Sequence, residues 1–226
     1  MTQQYPNIHD EPTFRRAVDY LCGIDLVLAD IVARHGAPPR WQRTPGFASL
    51  LYIILEQQVS LASARAVYRR LSALAEPLTP ESFLLLDDAQ LQGTGFSRQK
   101  IIYGRILAQA VRSGQLDFAA LEQMSDEQAK QTLMRFKGIG NWTAEIYLIE
   151  ALGRSDVLPA GDLALVVAAQ EIYQLAVRPV APELAMLAER WRPWRSVAVH
   201  ILWWHYLRRG GGTFTPPSDA YQPPGK

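Results

Sequence analysis

The sequence has little that would tie it to an oxidising compartment or to a membrane. Cys22 is the only cysteine among 226 residues, which excludes an internal disulfide and any zinc site or iron–sulfur cluster built from four cysteines. No apolar run reaches the roughly 18–20 residues that a membrane-spanning helix needs. The polar first residues lack the basic and apolar segments of a signal peptide. These absences together predict a protein of the reducing cytoplasm.

The sequence also lacks an excess of charge of either sign. Its 23 basic and 22 acidic residues give a formal net charge of +1 at pH 7. Proteins that coat nucleic acid are normally strongly basic, so the total charge gives no indication of such a partner. Hydrophobic residues make up 48% of the chain and charged residues 20%, which is typical of a globular protein and not of a disordered one.

The apolar spacing is helical almost throughout, and strand-like alternation is absent over any useful length. One apolar stripe runs from Phe14 to Val32, while Thr79-Pro80 and Ser125 with Gln128 have the pattern of helix starts. We therefore expect an all-α fold of about ten helices. The segment 210–226 is rich in glycine and proline and predicts a loosely ordered tail. The expected organisation is an N-terminal extension over 1–13, one helical domain over 14–209 and this tail.

The most informative segment is a predicted helix–turn–helix at about 126–152. Lys137-Gly138-Ile139-Gly140 interrupts the helical pattern, and a new helix begins at Asn141. Such a turn directs the first N–H groups of the second helix outward, and its glycines leave space for an anion, which suits a DNA phosphate. An ordinary connection between two helices explains the same glycines. A dinucleotide-binding loop does not, because no strand precedes the turn and the third glycine of that motif is missing.

The hairpin and three further segments together resemble the helix-hairpin-helix (HhH-GPD) DNA glycosylases, specifically the 3-methyladenine DNA glycosylase II (AlkA-like) group. Residues 47–60, which include Glu-Gln-Gln-Val-Ser, are similar to the family's DNA-wedge turn; 158–163 to its catalytic segment; and 191–203 to its closing element. The four segments follow the family's order over about 14–209. The resemblance implies two helical subdomains with a DNA-binding cleft between them, without the N-terminal β-domain that some members carry.

The resemblance implies a base-excision-repair hydrolase. It would flip an alkylated purine of the 3-methyladenine or 7-methylguanine type out of duplex DNA and hydrolyse its N-glycosidic bond, leaving an abasic site. Asp162 would be the catalytic residue, because a carboxylate near the sugar stabilises the oxocarbenium character that develops as the base leaves. Asp162 also begins a predicted helix, so a helix N-cap is a second role, and both roles are compatible.

Trp142 determines the expected type of reaction. In bifunctional members of the family this position holds a lysine that forms a Schiff base, which an indole cannot do, so the resemblance implies a monofunctional enzyme without lyase activity. It also implies that Trp142 and Trp203 line the base pocket, where indole faces attract a cationic base. For Trp203 a position in the core is equally compatible. Some members have a tyrosine at the position that Ile146 holds in this chain. Here a tyrosine follows one residue later, at Tyr147, so the resemblance implies a base pocket that is larger or more apolar than in those members.

The resemblance also implies a DNA wedge, a phosphate-binding hairpin and a cation site. Gln58 would fill the space left by the flipped base, with Gln57 beside it, although two solvent-exposed glutamines would look the same in the sequence. The implied phosphate-binding hairpin comprises Lys137, Gly138, Ile139, Gly140, Asn141 and Thr143. The implied ligands of a structural Na⁺ or K⁺ are the backbone carbonyls of Met134, Phe136 and Gly138. No other cofactor and no iron–sulfur cluster is expected, and the expected partner of a monomeric chain is double-stranded DNA.

Two other functions remain compatible with the sequence. One is a monofunctional glycosylase for another lesion, such as hypoxanthine, ethenoadenine or a mismatched pyrimidine. The other is a non-catalytic DNA-binding protein that keeps only the hairpin. Asp162 separates the second from an enzyme, because a protein that only binds DNA has no use for a buried carboxylate facing the substrate.

Overall fold

The computed structural model describes residues 6–209, and over this range the protein is all-α. Thirteen α-helices and one short 3-10 helix, with no strand, occur between these residues, which confirms the predicted fold class and exceeds the expected number of helices. None of these helices is long and apolar enough to cross a bilayer. The predicted tail at 210–226 lies outside the described residues.

The chain divides into two compact units. The described part of unit 1 consists of residues 6–43 and 148–209, and unit 2 is Thr44–Tyr147. Unit 1 contains α1 (Glu11–Ile24), α2 (Leu26–His35), α11 (Leu163–Ile172), α12 (Ala181–Ala188), a 3-10 helix (Glu189–Trp191) and α13 (Arg195–Arg208). Unit 2 contains α3 (Phe47–Glu56), α4 (Leu61–Leu74), α5 (Pro80–Leu85), α6 (Asp88–Gly93), α7 (Arg98–Arg112), α8 (Phe118–Gln123) and α9 (Asp126–Met134). The boundary at Tyr147 falls within α10 (Asn141–Glu150).

The core of unit 1 is organised around α13, which packs against α11, α2 and α1. The apolar stripe predicted as one element is in fact two helices, because the Asp25 carboxylate accepts the N–H groups of Val27 and Leu28 and caps α2. Packing also begins before residue 14, the predicted start of the domain. Ile8 is 1% exposed, and its N–H donates to the Gly153 carbonyl at 2.9 Å.

Asp25 is a buried carboxylate with a full set of donors. Its Oδ2 accepts the Tyr173 hydroxyl at 2.7 Å and the Trp191 Nε1 at 3.0 Å. Burial alone would raise the pKa of this carboxyl, but the hydrogen bonds from Trp191, Tyr173 and the Val27 and Leu28 N–H groups together outweigh burial and lower it below its usual value. Asp25 therefore holds together segments that are far apart in the sequence of unit 1.

The core of unit 2 is organised around α3, whose apolar side chains are nearly all buried and which packs against α4 and α7. Helices α5 and α7 approach closely at Gly104, where a Cβ would lie 2.7 Å from the Phe83 ring. The predicted helix starts at Thr79 and Ser125 are confirmed, and each forms a capping box with the residue three positions later.

Candidate active site and nucleic-acid interface

The hairpin between α9 and α10 lies in unit 2 and contains the predicted Gly-Ile-Gly turn. Ile139 is 5% exposed and anchors the turn in the apolar interior. Gly138 has a φ of +98°, a conformation that favours glycine. A Cβ at this position would lie 2.3 Å from Cγ of Tyr103, a residue of α7. Backbone conformation and packing therefore both require glycine at 138.

Gly140 is under neither of these constraints. A Cβ built there meets no other atom within 4 Å, and Lys137 and Asn141 beside it are also exposed. The Ala144 N–H donates to the Gly140 carbonyl at 3.0 Å, which marks the start of α10. The N–H groups that begin a helix have no acceptor within the helix and form a site for anions. The glycine at 140 thus leaves this helix start accessible to an external group.

In the turn after α3 the two adjacent glutamines have different environments, which the sequence alone could not show. Gln58 is exposed and has a φ of +56°, which is uncommon for a residue with a side chain and occurs where surrounding structure holds the backbone. Gln57 is half-buried, and its Nε2 donates to the Gly138 carbonyl and to Thr143 Oγ1, both at 2.8 Å. Gln57 therefore joins the turn to the hairpin, while Gln58 lies at the surface.

This contact also locates Thr143, which the sequence assigned to the phosphate-binding hairpin. Its side chain is 2% exposed, and its hydroxyl accepts the Gln57 amide within unit 2. The Thr143 hydroxyl is therefore engaged inside unit 2, and its predicted contact with a phosphate stays a prediction.

The carbonyls predicted to bind a monovalent cation belong to the same hairpin. The Gly138 carbonyl accepts the Gln57 amide, and the Phe136 carbonyl accepts the Ile139 N–H at 3.1 Å. A carbonyl oxygen has two lone pairs, so a Na⁺ or K⁺ would share these oxygens with the existing donors. Hard oxygen donors suit such an ion, and its presence stays a prediction. Across residues 6–209 no cluster of three His, Cys, Asp or Glu could hold a metal.

Asp162 lies in unit 1, at the start of α11. Its Oδ1 accepts the Leu165 N–H at 2.9 Å, which confirms the predicted N-cap role, and the Trp203 Nε1 at 3.1 Å. Asp162 is half-buried, and its carboxylate accepts hydrogen bonds from the Leu165 main-chain N–H and from the Trp203 indole. Trp203 was predicted as a pocket aromatic, and its hydrogen bond to Asp162 is a role that the sequence did not reveal.

The Trp203 ring belongs to an uncharged aromatic cluster of unit 1. It lies 6.1 Å from the Trp41 ring and 5.7 Å from the His200 ring. His200 is 1% exposed, and burial lowers its pKa to about 4, so the imidazole is neutral at pH 7. The sequence predicts no role for Trp41 or His200, because their contacts join segments that are distant along the chain.

The other predicted pocket residues lie in unit 2. Trp142 is half-buried in the first turn of α10, whereas Ile146 is 3% exposed and Tyr147 fully buried. The Tyr147 hydroxyl oxygen accepts the Gly46 N–H at 2.9 Å, and burial raises the pKa of the phenol. Tyr147 thus fixes the start of α3, and within unit 2 both it and Ile146 are core residues.

Comparison with known proteins matches residues 51–195 to the model of the HhH-GPD superfamily base excision DNA repair protein. The chain belongs to this superfamily. The matched region of this HhH-GPD protein contains the turn at Gln58, the hairpin and Asp162.

Three similar proteins each match more than four fifths of the HhH-GPD chain. The alkylbase DNA glycosidase-like protein mag2 of Schizosaccharomyces pombe is 29% identical over 84% of this chain and 92% of its own. The structure of the 3-methyladenine DNA glycosylase Mag1 of the same yeast, in complex with abasic DNA, gives a TM-score of 0.78 at 29% identity, covering 83% of this chain and 95% of that one. The DNA-3-methyladenine glycosidase of Bacillus halodurans gives a TM-score of 0.70 at 32% identity, covering 90% and 93%.

Proposed function

We propose that this chain is a monofunctional DNA glycosylase that removes alkylated purines from duplex DNA by hydrolysing the N-glycosidic bond. The observation that carries the proposal is the Asp162 carboxylate, held at the start of α11 by the Leu165 N–H and the Trp203 indole. The names of the similar proteins, which refer to 3-methyladenine and alkylated bases, support the substrate class.

The chemistry follows from the charge that develops as the base leaves. The departing base takes the electrons of the glycosidic bond, and the sugar becomes cationic. An ionised Asp162 stabilises this cation and orients the attacking water, and the Leu165 and Trp203 N–H groups help to fix it before the reaction begins. An alkylated purine is already a good leaving group, so one preorganised carboxylate is sufficient. A group of this kind contributes about 3–4 kcal/mol to lowering the barrier.

The remaining parts of the proposal concern the DNA and the product. The exposed start of α10, opened by Gly140, binds a phosphate, and Gln58 fills the space of the flipped base. Trp142 offers a π face to a cationic base and no amine for a Schiff base, so the product is an intact strand with an abasic site. We also expect the protein to act as a monomer on double-stranded DNA in the cytoplasm.

The experiment that tests the proposal is base release from methylated duplex DNA by the native protein and by Asp162→Asn. Asparagine caps helices as well as aspartate, so this variant keeps the cap and removes only the charge. We expect the single-turnover rate to fall by about 10²–10³-fold with the DNA affinity retained. Asp87→Asn is the matched control, because Asp87 caps α6 in the same way through the Gln90 N–H at 2.7 Å, and it should leave the rate unchanged.

Each other outcome has a definite meaning. Equal release by the native protein and by Asp162→Asn would remove Asp162 from the mechanism. Release of hypoxanthine or ethenoadenine in place of alkylated purines would show that the substrate is another lesion. Binding of DNA with no release of any base would leave only the non-catalytic alternative.

A further inference from the structure

The end of α3 is held by a lysine from a different helix. The Lys100 Nζ donates to the Leu55 carbonyl at 2.7 Å and to the Gln57 carbonyl at 2.8 Å. The last carbonyls of a helix have no donor within the helix and form its negative end, so an ammonium group is a suitable cap. Lys100 is half-buried in the first turn of α7, where burial lowers the pKa of its ammonium group.

The residue after these carbonyls is the proposed wedge. Gln57 is fixed at two points, its carbonyl by Lys100 and its side-chain amide by the Gly138 carbonyl and Thr143 Oγ1. Gln58 follows at once with its backbone at a φ of +56°. A residue with a side chain keeps this conformation only where its neighbours are held, and both ties are on the residue directly before it.

We propose that Lys100 is a positioning residue: it fixes the turn carrying Gln58 to α7, and so holds Gln57 where its side chain joins the turn to the phosphate-binding hairpin. The inference rests on the proposed function, since it concerns how that function inserts a side chain into DNA. With the turn and the hairpin joined through Gln57, a phosphate bound at the hairpin sets the position of Gln58. The turn is then already ordered before insertion, which reduces the entropy lost when the base is flipped. Lys100 itself needs no contact with DNA for this effect.

The test compares Lys100→Met with Lys100→Arg. Methionine keeps the aliphatic stem and removes all donors, whereas arginine retains donors for both carbonyls. The control is Arg70→Met, which removes a side-chain donor to a main-chain carbonyl elsewhere in unit 2, the 2.8 Å bond from Arg70 Nε to the Thr94 oxygen. The readouts are the affinity for undamaged duplex, the single-turnover rate at saturating enzyme, and the fluorescence of 2-aminopurine placed next to an abasic site.

For Lys100→Met we expect the rate at saturation and the 2-aminopurine change to fall about tenfold, with the affinity for undamaged DNA within about twofold of native. Lys100→Arg should restore most of the loss, and Arg70→Met should change none of the three readouts. Gln57→Leu cuts the second tie and should show the same defect as Lys100→Met. The double variant should be no worse than either single one, because both act on one element.

Three results would overturn the inference. The first is native fluorescence and rate in a folded Lys100→Met protein. The second is a loss of affinity for undamaged DNA as large as the loss of rate, since Lys100 would then be a direct DNA contact. The third is a native signal in Gln57→Leu, which also decides the matter if Lys100→Met does not fold. Failure of the native protein to release alkylated bases would refute the proposed function alone, because the abasic-site fluorescence needs no excision.

Discussion

Replacing Gly138 by alanine should destabilise the protein by about 1–4.5 kcal/mol, whereas the same change at Gly140 should leave its stability unchanged or raise it by up to about 1 kcal/mol. At Gly138 a side chain is forced into a positive φ of +98°, which costs about 1–2 kcal/mol. Its Cβ also falls 2.3 Å from the Tyr103 ring, and overpacking of this kind costs about 1–3 kcal/mol. The reduced entropy of the unfolded chain returns about 0.4–1 kcal/mol.

Urea unfolding of the native protein and the two variants measures these differences in the free energy of unfolding. A third variant, Gly138→Ala combined with Tyr103→Ala, separates the two causes. Removing the ring relieves the overpacking but leaves the strained backbone. The double variant should therefore be more stable than the sum of the single changes by about 1–3 kcal/mol.

The two substitutions should rank in the opposite order for DNA affinity, with the larger direct effect at Gly140. Gly140→Ala keeps the fold and places a methyl group in the open space in front of the helix start, so its affinity for duplex DNA should fall about 5–30-fold, the equivalent of about 1–2 kcal/mol. A Gly138→Ala protein as stable as the native one would refute the packing argument. A stable Gly140→Ala protein with native affinity would show that no phosphate approaches there.

Three further predictions concern the carboxylate, the buried imidazole and the product. Trp203→Phe keeps the ring but removes the donor to Asp162, so the rate of base release should fall about tenfold in a folded protein; an unchanged rate would make this hydrogen bond dispensable. His200 has a folded pKa of about 4, well below its unfolded value, so its contribution to stability is complete above about pH 6.5 and is lost as the pH falls towards 4. Urea unfolding at pH 7.5 and 4.5 should show a loss of about 2–3 kcal/mol that shrinks in His200→Gln. Burial also lowers the pKa values of His9 and His35, so a loss of the same sign should remain in His200→Gln, and a loss equal to the native one would contradict the assignment. Borohydride should trap no covalent complex on DNA, because Trp142 has no amine, and a trapped complex would refute monofunctional chemistry.

The parts of the fold that depend on local signals could be predicted from the sequence. The side chains of Thr79, Ser125 and Asp162 each cap a helix by accepting the N–H three residues later, and the structure has each of these caps. The break at Asp25 is also a cap, yet the apolar stripe continues in phase across it and conceals it. Periodicity alone thus joined two helices into one.

The parts of the site that depend on contacts between distant segments could not be predicted. Lys100, Tyr103 and Trp41 act on partners from other elements, and nothing near them in the sequence marks those partners. Gln57 and Gln58 are identical neighbours in the sequence. Only the backbone conformation directs the Gln57 side chain to the hairpin and leaves the Gln58 side chain at the surface. The indole donor to Asp162 is likewise visible only when α11 and α13 are packed together.

The division of the chain has a consequence for synthesis on the ribosome. Unit 2 is one continuous stretch, so all its partners have emerged once Tyr147 has left the exit tunnel. Unit 1 depends on pairs such as Asp25 with Trp191, which are 166 residues apart, and its first helices must wait for α13. Domains generally fold as they emerge, and distant pairings form late. The hairpin and the turn at Gln58 should therefore be assembled before the carboxylate at Asp162 acquires its indole donor.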